Sequence, residues 1–328
     1  MKDFVLHVPT QIFFGASHGE AFAKSIASLG KKVLLLTGGG SIERLGYLQT
    51  VEGHLKKAGL TVHRFSGIEP NPHARTINRA AGEAMKNGDE LIVALGGGSV
   101  MDAAKAIAAL AFIKENDIWP YVGGEPKAGQ LRGAIPVVAI PTTAATASEV
   151  TPFAVISNPE VKGKSVLAHE FLKPRLAWLN PAFTTKLSVT TTRDGAADIL
   201  SHVFENYLLG GNDSPLADEH TEGVIRTVVA TLPLLTADPE NVDYRARLLW
   251  ASNIALNGYQ LAGRNPSQFP LHSMEHALSG IKPDLAHGRG LATLYPAYFR
   301  WLLEHGRARD RFARLGEKIF DLDSDSEA

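Results

Sequence analysis

The 328-residue sequence contains no cysteine. This absence excludes disulfides, thiolate zinc sites and cysteine nucleophiles, and it is what we expect of a protein from a reducing cytoplasm. Any metal ion would therefore have to be held by histidine nitrogens and carboxylate oxygens.

An excess of charge of one sign and long apolar runs are also lacking. The 33 Lys and Arg residues nearly balance the 34 Asp and Glu residues, so no overall field attracts nucleic acid or an anionic membrane. No apolar run approaches the ~20 residues of a membrane span, and the N-terminal MKDFVLHVP lacks the regions of a signal peptide. The sequence thus predicts a cytoplasmic protein that binds neither nucleic acid nor membrane.

Two stretches of the first half read as a buried strand, a glycine loop and a helix: KKVLLLTGGGS from Lys31 and ELIVALGGGSVMDAAKAIAAL from Glu90. With strand candidates at 61–65 and 134–143 and an amphipathic segment at 74–86, they predict a doubly wound α/β domain with a parallel sheet. Beyond Leu187 apolar residues recur at spacings of three and four, as in helices. We therefore expect an α/β dinucleotide-binding domain at 1–186 and an all-α domain at 187–328.

Glycine loops are the first candidate site. GGGSVMD (96–102) delivers small residues to a helix start, where free N–H groups and the helix dipole favour a pyrophosphate, and GGGS (38–41) repeats the arrangement. A lone glycine run is equally explained by a tight turn, and the spacing is not GxGxxG. Two such loops at the carboxyl ends of strands of one sheet favour a dinucleotide. PTTAATASEVT (141–151) adds hydroxyl groups near that edge.

Histidines and a carboxylate form the second candidate site. Asp198 and His202 are four residues apart in a predicted helix, so their side chains leave one face about 6 Å apart along the axis. Such a pair is more often found on a solvated face. His272 and His276 repeat the spacing, and His287 follows a turn that can return it towards His272. Nitrogen and oxygen ligands without sulfur suit Fe²⁺ or Zn²⁺ at an open catalytic site.

Together these motifs resemble the iron-containing (group III) alcohol dehydrogenases, especially their butanol dehydrogenase-like branch, over nearly the whole chain. The motifs are GIEPNP (67–72), GGGSVMDAAK (96–105), PTTAATASEVT (141–151), ADILSH (197–202), HSMEHALSG (272–280) and PDLAHG (283–288). The resemblance implies hydride transfer between a nicotinamide and a metal-polarised carbonyl or alcohol. It also implies one divalent ion, Fe²⁺ or Zn²⁺, and a homodimer.

The resemblance further implies a role for individual residues. The metal ligands would be Asp198, His202, His272 and His287. His276 would be the catalytic histidine beside the nicotinamide and the substrate, a candidate to relay the proton. The cofactor would be bound by Gly96, Gly97, Gly98, Ser99, Asp102, Thr142, Thr143, Ser148 and Lys164.

The GGGS loop bears on the choice of cofactor. Relatives that use NAD tend to carry an Asp near the position of Gly38, where it repels a 2′-phosphate. Here N–H groups of Gly39 and Gly40 and the Ser41 hydroxyl would donate hydrogen bonds to that phosphate. We therefore expect NADP(H) rather than NAD(H). The chain departs from the family in Ala145 and Ala147, which replace glycines, and in a shortened C-terminal part of the helical domain.

Two alternative functions fit parts of this pattern. A dehydroquinate synthase-like lyase also combines nicotinamide with a divalent metal, but it needs more cations than Lys164, Arg264 and Arg289 supply. A nucleotide-binding protein without turnover would fit the two alanines and the shortened helical domain. Consumption of NADPH with a simple aldehyde separates the dehydrogenase from both.

Overall fold

The computed structural model describes residues 1–211, 214–282 and 284–322. The chain divides into two compact units: Pro9–Thr143 with Ser148–Thr185, and Lys186 onward with Met1–Val8 and Ala144–Ala147. The N-terminal segment joins the second unit because the Lys2 N–H donates to the carbonyl of Gly263 (2.9 Å). That the chain forms two separate domains with a boundary at residue 186 stays a prediction.

The first unit is built on a six-stranded parallel sheet of order β1-β8-β5-β4-β2-β3 and a two-stranded antiparallel hairpin, β6-β7. The strands are β1 Gln11–Phe14, β2 Lys32–Thr37, β3 Thr61–Phe65, β4 Leu91–Gly96, β5 Val137–Pro141, β6 Phe153–Asn158, β7 Gly163–Ala168 and β8 Leu176–Leu179. The parallel sheet confirms the predicted α/β class.

Helices cover this sheet: α1 Gly19–Ile26, α2 Ser41–Arg44, α3 Tyr47–Lys57, α4 Ala74–Asn87 and α5 Gly98–Ile113. Central strands β2 and β4 are continuous apolar runs, buried from Val33 to Leu36 and from Leu91 to Leu95, because layers lie on both faces. α5 is alanine-rich and buried almost all round, since it packs against α4, β4, β5 and β6.

The order of the strands fixes where a ligand can bind. The chain passes from β2 to β3 at the sheet edge and then returns to β4 on the other side of β2. Connections therefore leave β2 and β4 in opposite directions and open a crevice at their carboxyl ends, the usual ligand site of open α/β sheets. Both glycine loops lie at this edge.

The second unit is helical: α6 Val189–Leu209, α7 Pro215–Ala237, α8 Val242–Leu256, α9 Pro270–Ile281, α10 His287–Glu304 and α11 Arg309–Phe320. The Ser188 hydroxyl caps α6 by accepting from the Thr191 N–H (3.0 Å). α6 packs against α7, α8 and α10, so its polar residues Asp198, His202 and Glu205 are buried. A helix with buried ionisable groups on several turns marks a site rather than a plain core.

Four strands were not predicted. β1 and β8 are only four residues long, and the β6–β7 hairpin is partly exposed and lacks a clear alternation of apolar residues. Among residues 1–211, 214–282 and 284–322, none of the helices combines the length and apolar character needed to cross a lipid bilayer.

Candidate metal and cofactor sites

Three helices of the second unit bring imidazoles to one carboxylate. On α6, His202 Nε2 lies 3.5 Å from Asp198 Oδ1. His272 Nε2 on α9 and His287 Nε2 at the start of α10 lie 4.0 and 3.6 Å from the same oxygen. Ligand atoms of Asp198, His202 and His272 all lie within 4.8 Å of one another. The four residues that the resemblance implied as ligands therefore converge.

The arrangement fits a divalent cation. Among the described residues Asp198 Oδ1 is buried and has no hydrogen-bond partner, which is costly for a carboxylate oxygen. The imidazole nitrogens surround it at distances too long for direct hydrogen bonds. One cation shared by the three nitrogens and this oxygen would satisfy all of them. A set of three nitrogens and one oxygen suits Fe²⁺ or Zn²⁺.

Two buried glutamates orient the imidazoles, and sequence reasoning did not assign them this role. Glu205 Oε2 bonds His272 Nδ1 and Glu205 Oε1 accepts from the Leu271 N–H (2.7 Å), while Glu275 Oε2 bonds His287 Nδ1. A carboxylate on Nδ1 keeps the proton there and directs the Nε2 lone pair towards Asp198. The available signal was spacing, because each glutamate follows a histidine by three residues on the same helix.

Burial sets the protonation of the centre. It lowers the pKa of His202 to about 3; Asp198 opposes this effect, and His272 and His287 add to it. Burial alone would raise the pKa of Asp198, but the field of the surrounding histidines, His202 foremost, lowers it overall. At neutral pH the group therefore offers an ionised carboxylate and a neutral His202, the forms that bind metal.

Glycines allow α10 to approach. A Cβ on Gly288 would lie 1.8 Å from the carbonyl oxygen of Asp194 on α6, and a Cβ on Gly290 would lie 2.9 Å from Glu275 Cγ on α9. Arg289 between them forms a two-pronged ion pair with the Asp194 carboxylate (2.8 and 3.2 Å). These contacts hold His287, the first residue of α10, against the other two helices.

His276 lies beside the cluster. It follows His272 by one turn on α9, and its ring centroid is 5.4 Å from that of His287. Its ligand atom groups with those of Glu275 and His287 and not with those of Asp198. The position is compatible with the expected role next to the metal, which stays a prediction.

Most of the predicted cofactor residues gather at the carboxyl edge of the sheet in the first unit. Gly38–Ser41 follow β2, Gly96–Ser99 link β4 to α5, and Thr142 and Thr143 follow β5. Because β2, β4 and β5 are parallel neighbours, the three segments lie side by side. A Cβ on Gly97 would come 3.2 Å from Thr143 Oγ1, whereas one on Gly39 would meet nothing within 4 Å. An open position such as Gly39 thus leaves room for an anion to approach the backbone.

Asp102, Ser148 and Lys164 differ from the glycine loops in their contacts. Asp102 accepts from the Ser148 hydroxyl (2.6 Å) and from the Val155 N–H (2.8 Å), so both of its oxygens are engaged within the protein. Burial raises the pKa of Asp102, against the field of Lys105. Lys164 lies on β7, opposite Ser157 in the hairpin. The predicted cofactor contacts of these three residues stay predictions.

Two of the three cations considered for the lyase alternative are engaged elsewhere. Arg264 is buried and donates to Asp218, and Arg289 pairs with Asp194. Neither guanidinium is presented to a substrate phosphate, which argues against a dehydroquinate synthase-like reaction.

Comparisons with known proteins agree with the geometry. A family model described as iron-containing alcohol dehydrogenase matches residues 9–181, and the C-terminal model of the Fe-containing alcohol dehydrogenase family matches residues 192–328. The chain is 34% identical to NADH-dependent butanol dehydrogenase B of Clostridium acetobutylicum, over 99% of this chain and 82% of that protein. It is 33% identical to the NADPH-dependent aldehyde reductase YqhD of Escherichia coli, over 100% of this chain and 82% of that protein.

Solved structures also match the chain in fold and sequence. The crystal structure of NADH-dependent butanol dehydrogenase A from Thermotoga maritima matches with a TM-score of 0.93 and 36% identity. The match covers 100% of this chain and 80% of that one. The chain thus spans about four-fifths of the length of these relatives.

Proposed function

Because the chain belongs to the iron-containing alcohol dehydrogenase family, and is an oxidoreductase of the alcohol dehydrogenase or aldehyde reductase type, we propose that it is a metal-dependent, NADP(H)-linked enzyme. Its family implies a nicotinamide cofactor and a divalent metal. Its substrates would be small alcohols and aldehydes, as the names of its relatives suggest.

One observation carries the proposal: three imidazole Nε2 atoms face a buried Asp198 oxygen that has no hydrogen-bond donor among the described residues. We propose Asp198, His202, His272 and His287 as ligands of one Fe²⁺ or Zn²⁺ ion. When bound, that ion would act as a Lewis acid on the substrate oxygen while the nicotinamide exchanges hydride with the adjacent carbon.

The protein's own groups would prepare the site for this chemistry. Glu205 and Glu275 fix the tautomers of His272 and His287, so that no reorientation is needed when the ion binds. His276, partly exposed beside the cluster, would carry the proton between solvent and the substrate oxygen.

For the cofactor, we propose NADP(H) over NAD(H). No acidic side chain stands in the Gly38–Ser41 loop, and Arg44 Nη1 lies 3.6 Å from where a Gly40 Cβ would be. A guanidinium close to an open glycine loop favours a 2′-phosphate. The family does not decide the question, because its named members include both NADH-dependent and NADPH-dependent enzymes.

The metal proposal is tested by analysing protein purified without oxygen, with NADPH and NADH oxidation followed over an aldehyde series that includes butanal. His202→Ala should lose bound metal and turnover together. His220→Ala is the matched control, because its ring stacks on Tyr259 (5.3 Å) in the same unit and should leave both unchanged. Full metal occupancy in His202→Ala would refute its role as a ligand.

The cofactor proposal is tested at Gly39. An Asp at Gly38 should favour NAD(H), but its Cβ would lie only 3.3 Å from the Ile68 carbonyl oxygen, whereas Gly39 has open space. Gly39→Asp should weaken NADPH binding by about ten-fold or more, and the isosteric Gly39→Asn should not, because only the carboxylate repels phosphate. Equal NADPH affinity in the two variants would count against NADP(H).

The homodimer and the cytoplasmic location stay predictions. Light scattering of the purified chain measures the first. A monomer that still reduces aldehydes would show that the activity does not depend on a dimer.

A further inference from the structure

A lysine is fully buried in the helix that starts at the glycine cradle. Lys105 lies on α5 among alanines, and its Nζ donates to Ser148 Oγ (2.8 Å), Thr151 Oγ1 (3.1 Å) and the Phe153 carbonyl (2.6 Å). An ammonium group has three N–H donors, so this one segment uses all of them. Buried lysines are rare in proteins unless they are paired in this way.

Asp102, one turn earlier on α5, completes the network. It lies 3.9 Å from Lys105 Nζ, and its two oxygens accept from the Ser148 hydroxyl and the Val155 N–H. Burial lowers the pKa of Lys105 to about 8, and Asp102 and Glu149 oppose that shift. The lysine therefore stays charged at neutral pH and keeps its three donated bonds.

The network ties α5 to a part of the unit that the main sheet does not hold. Residues 148–152 lead into β6, which pairs along its length with β7 and otherwise forms one isolated bridge, from Ser157 to His73. β7 carries Lys164, whose positive charge lies close enough to Asp102 to lower the pKa of that carboxyl group. α5 therefore begins at the glycine loop, with Gly97 as its N-cap, and residues of its first two turns bond the segment at the base of the hairpin.

We propose that Lys105 is a positioning residue for the cofactor: it holds Ser148 and the base of the β6–β7 hairpin, with Lys164, in register with the glycine cradle at the start of α5. The inference rests on the proposed function, because it takes the crevice to be the cofactor site. Without Lys105, three acceptors lose their donor, and the cofactor must order the segment when it binds. Affinity falls as a result, while the network contains none of the candidate metal ligands.

The test is Lys105→Met in the full chain, with NADPH binding measured by fluorescence titration and steady-state kinetics measured with butanal. We expect the Kd and KM for NADPH to rise by about ten-fold or more, which corresponds to about 1.4 kcal/mol. At saturating NADPH, kcat should stay within about two-fold, because the chemistry is untouched once the cofactor is bound. Metal content should not change.

Two further variants keep the test decisive. Thr151→Val removes one acceptor with little change of shape, so it should raise the Kd in the same direction by a smaller factor even if Lys105→Met fails to fold. Leu110→Ala opens a cavity in the same helix, about one and a half turns beyond Lys105, and it should lower the melting temperature without changing the Kd.

The inference is overturned by a wild-type Kd in Lys105→Met or, if that variant does not fold, in Thr151→Val. A loss of kcat at unchanged KM, or an equal rise of the Kd in Leu110→Ala, also overturns it. A wild-type chain that binds neither NADPH nor NADH refutes the proposed function as well. A wild-type chain that reduces aldehydes beside unaffected variants refutes the positioning role alone.

Discussion

Replacing Gly288 by Ala probes how closely two helices must meet at the metal centre. The new Cβ would lie 1.8 Å from the Asp194 carbonyl oxygen and 2.7 Å from its carbonyl carbon, whereas Cβ contacts under 3.0 Å essentially do not occur. The obstacle is backbone in the second turn of α6 and cannot rotate away. The start of α10 must therefore retreat by about 1 Å or more, and overpacking of this kind costs roughly 1–3 kcal/mol of folding free energy.

This retreat displaces His287, the neighbouring residue, from the cluster. In the wild-type chain, His287 Nε2 lies 3.6 Å from Asp198 Oδ1, a separation typical of two ligands of one ion. Metal–nitrogen bonds tolerate deviations of about 0.2 Å, so a shift of about 1 Å removes the ligand. Since loss of an outer-shell partner alone lowers metal affinity about 10–100-fold, we expect a loss of at least about 100-fold.

The assay is competition for Zn²⁺ against a chromophoric chelator, with thermal melting of the metal-free protein in parallel. Gly288→Ala should lose affinity and melt lower. His287→Ala removes the ligand without the clash, so it should lose similar affinity; it also removes a hydrogen-bond partner of the buried Glu275 carboxylate, so its melting temperature should fall as well. Gly223→Ala, where a Cβ meets nothing within 4 Å on α7, should change neither. Wild-type affinity in Gly288→Ala would refute both the ligand role of His287 and the packing argument.

Two further predictions concern buried charges. Glu205→Gln should lower metal affinity about 10–100-fold in the same chelator assay, because both carboxylate oxygens accept hydrogen bonds and the new amide NH₂ must face either the Leu271 N–H or His272 Nδ1. An unchanged affinity would contradict the orienting role. Burial lowers the pKa of Lys105 from 10.5 to about 8. Between pH 8 and pH 10.5 the unfolded chain therefore holds a proton on this lysine that the folded chain has released. The free energy of unfolding should rise with pH over this range, by up to roughly 3 kcal/mol. Urea unfolding at pH 7.5–10.5 should show this slope in the wild type relative to Lys105→Met; parallel curves would contradict it.

The sequence by itself determined the features that depend on neighbouring residues. Apolar runs at β2 and β4, each followed by glycines and a helix, predict the parallel sheet because buried strands and helix starts have local signatures. The spacing of Asp198 and His202 places both on one face of α6 for the same reason. The motif order also led to the family.

Only the tertiary structure decided which distant groups meet. Strands β1 and β8 are too short to give a recognisable pattern in the sequence, and they form because neighbouring strands supply hydrogen-bond partners. His287 reaches Asp198 because Gly288 lets two backbones touch, and no periodicity encodes that contact. Lys105 lies between alanines on α5, and it is buried because β6 and the segment before it cover it and supply its acceptors. Local pattern fixes which residues share a face, whereas long-range packing decides what each face meets.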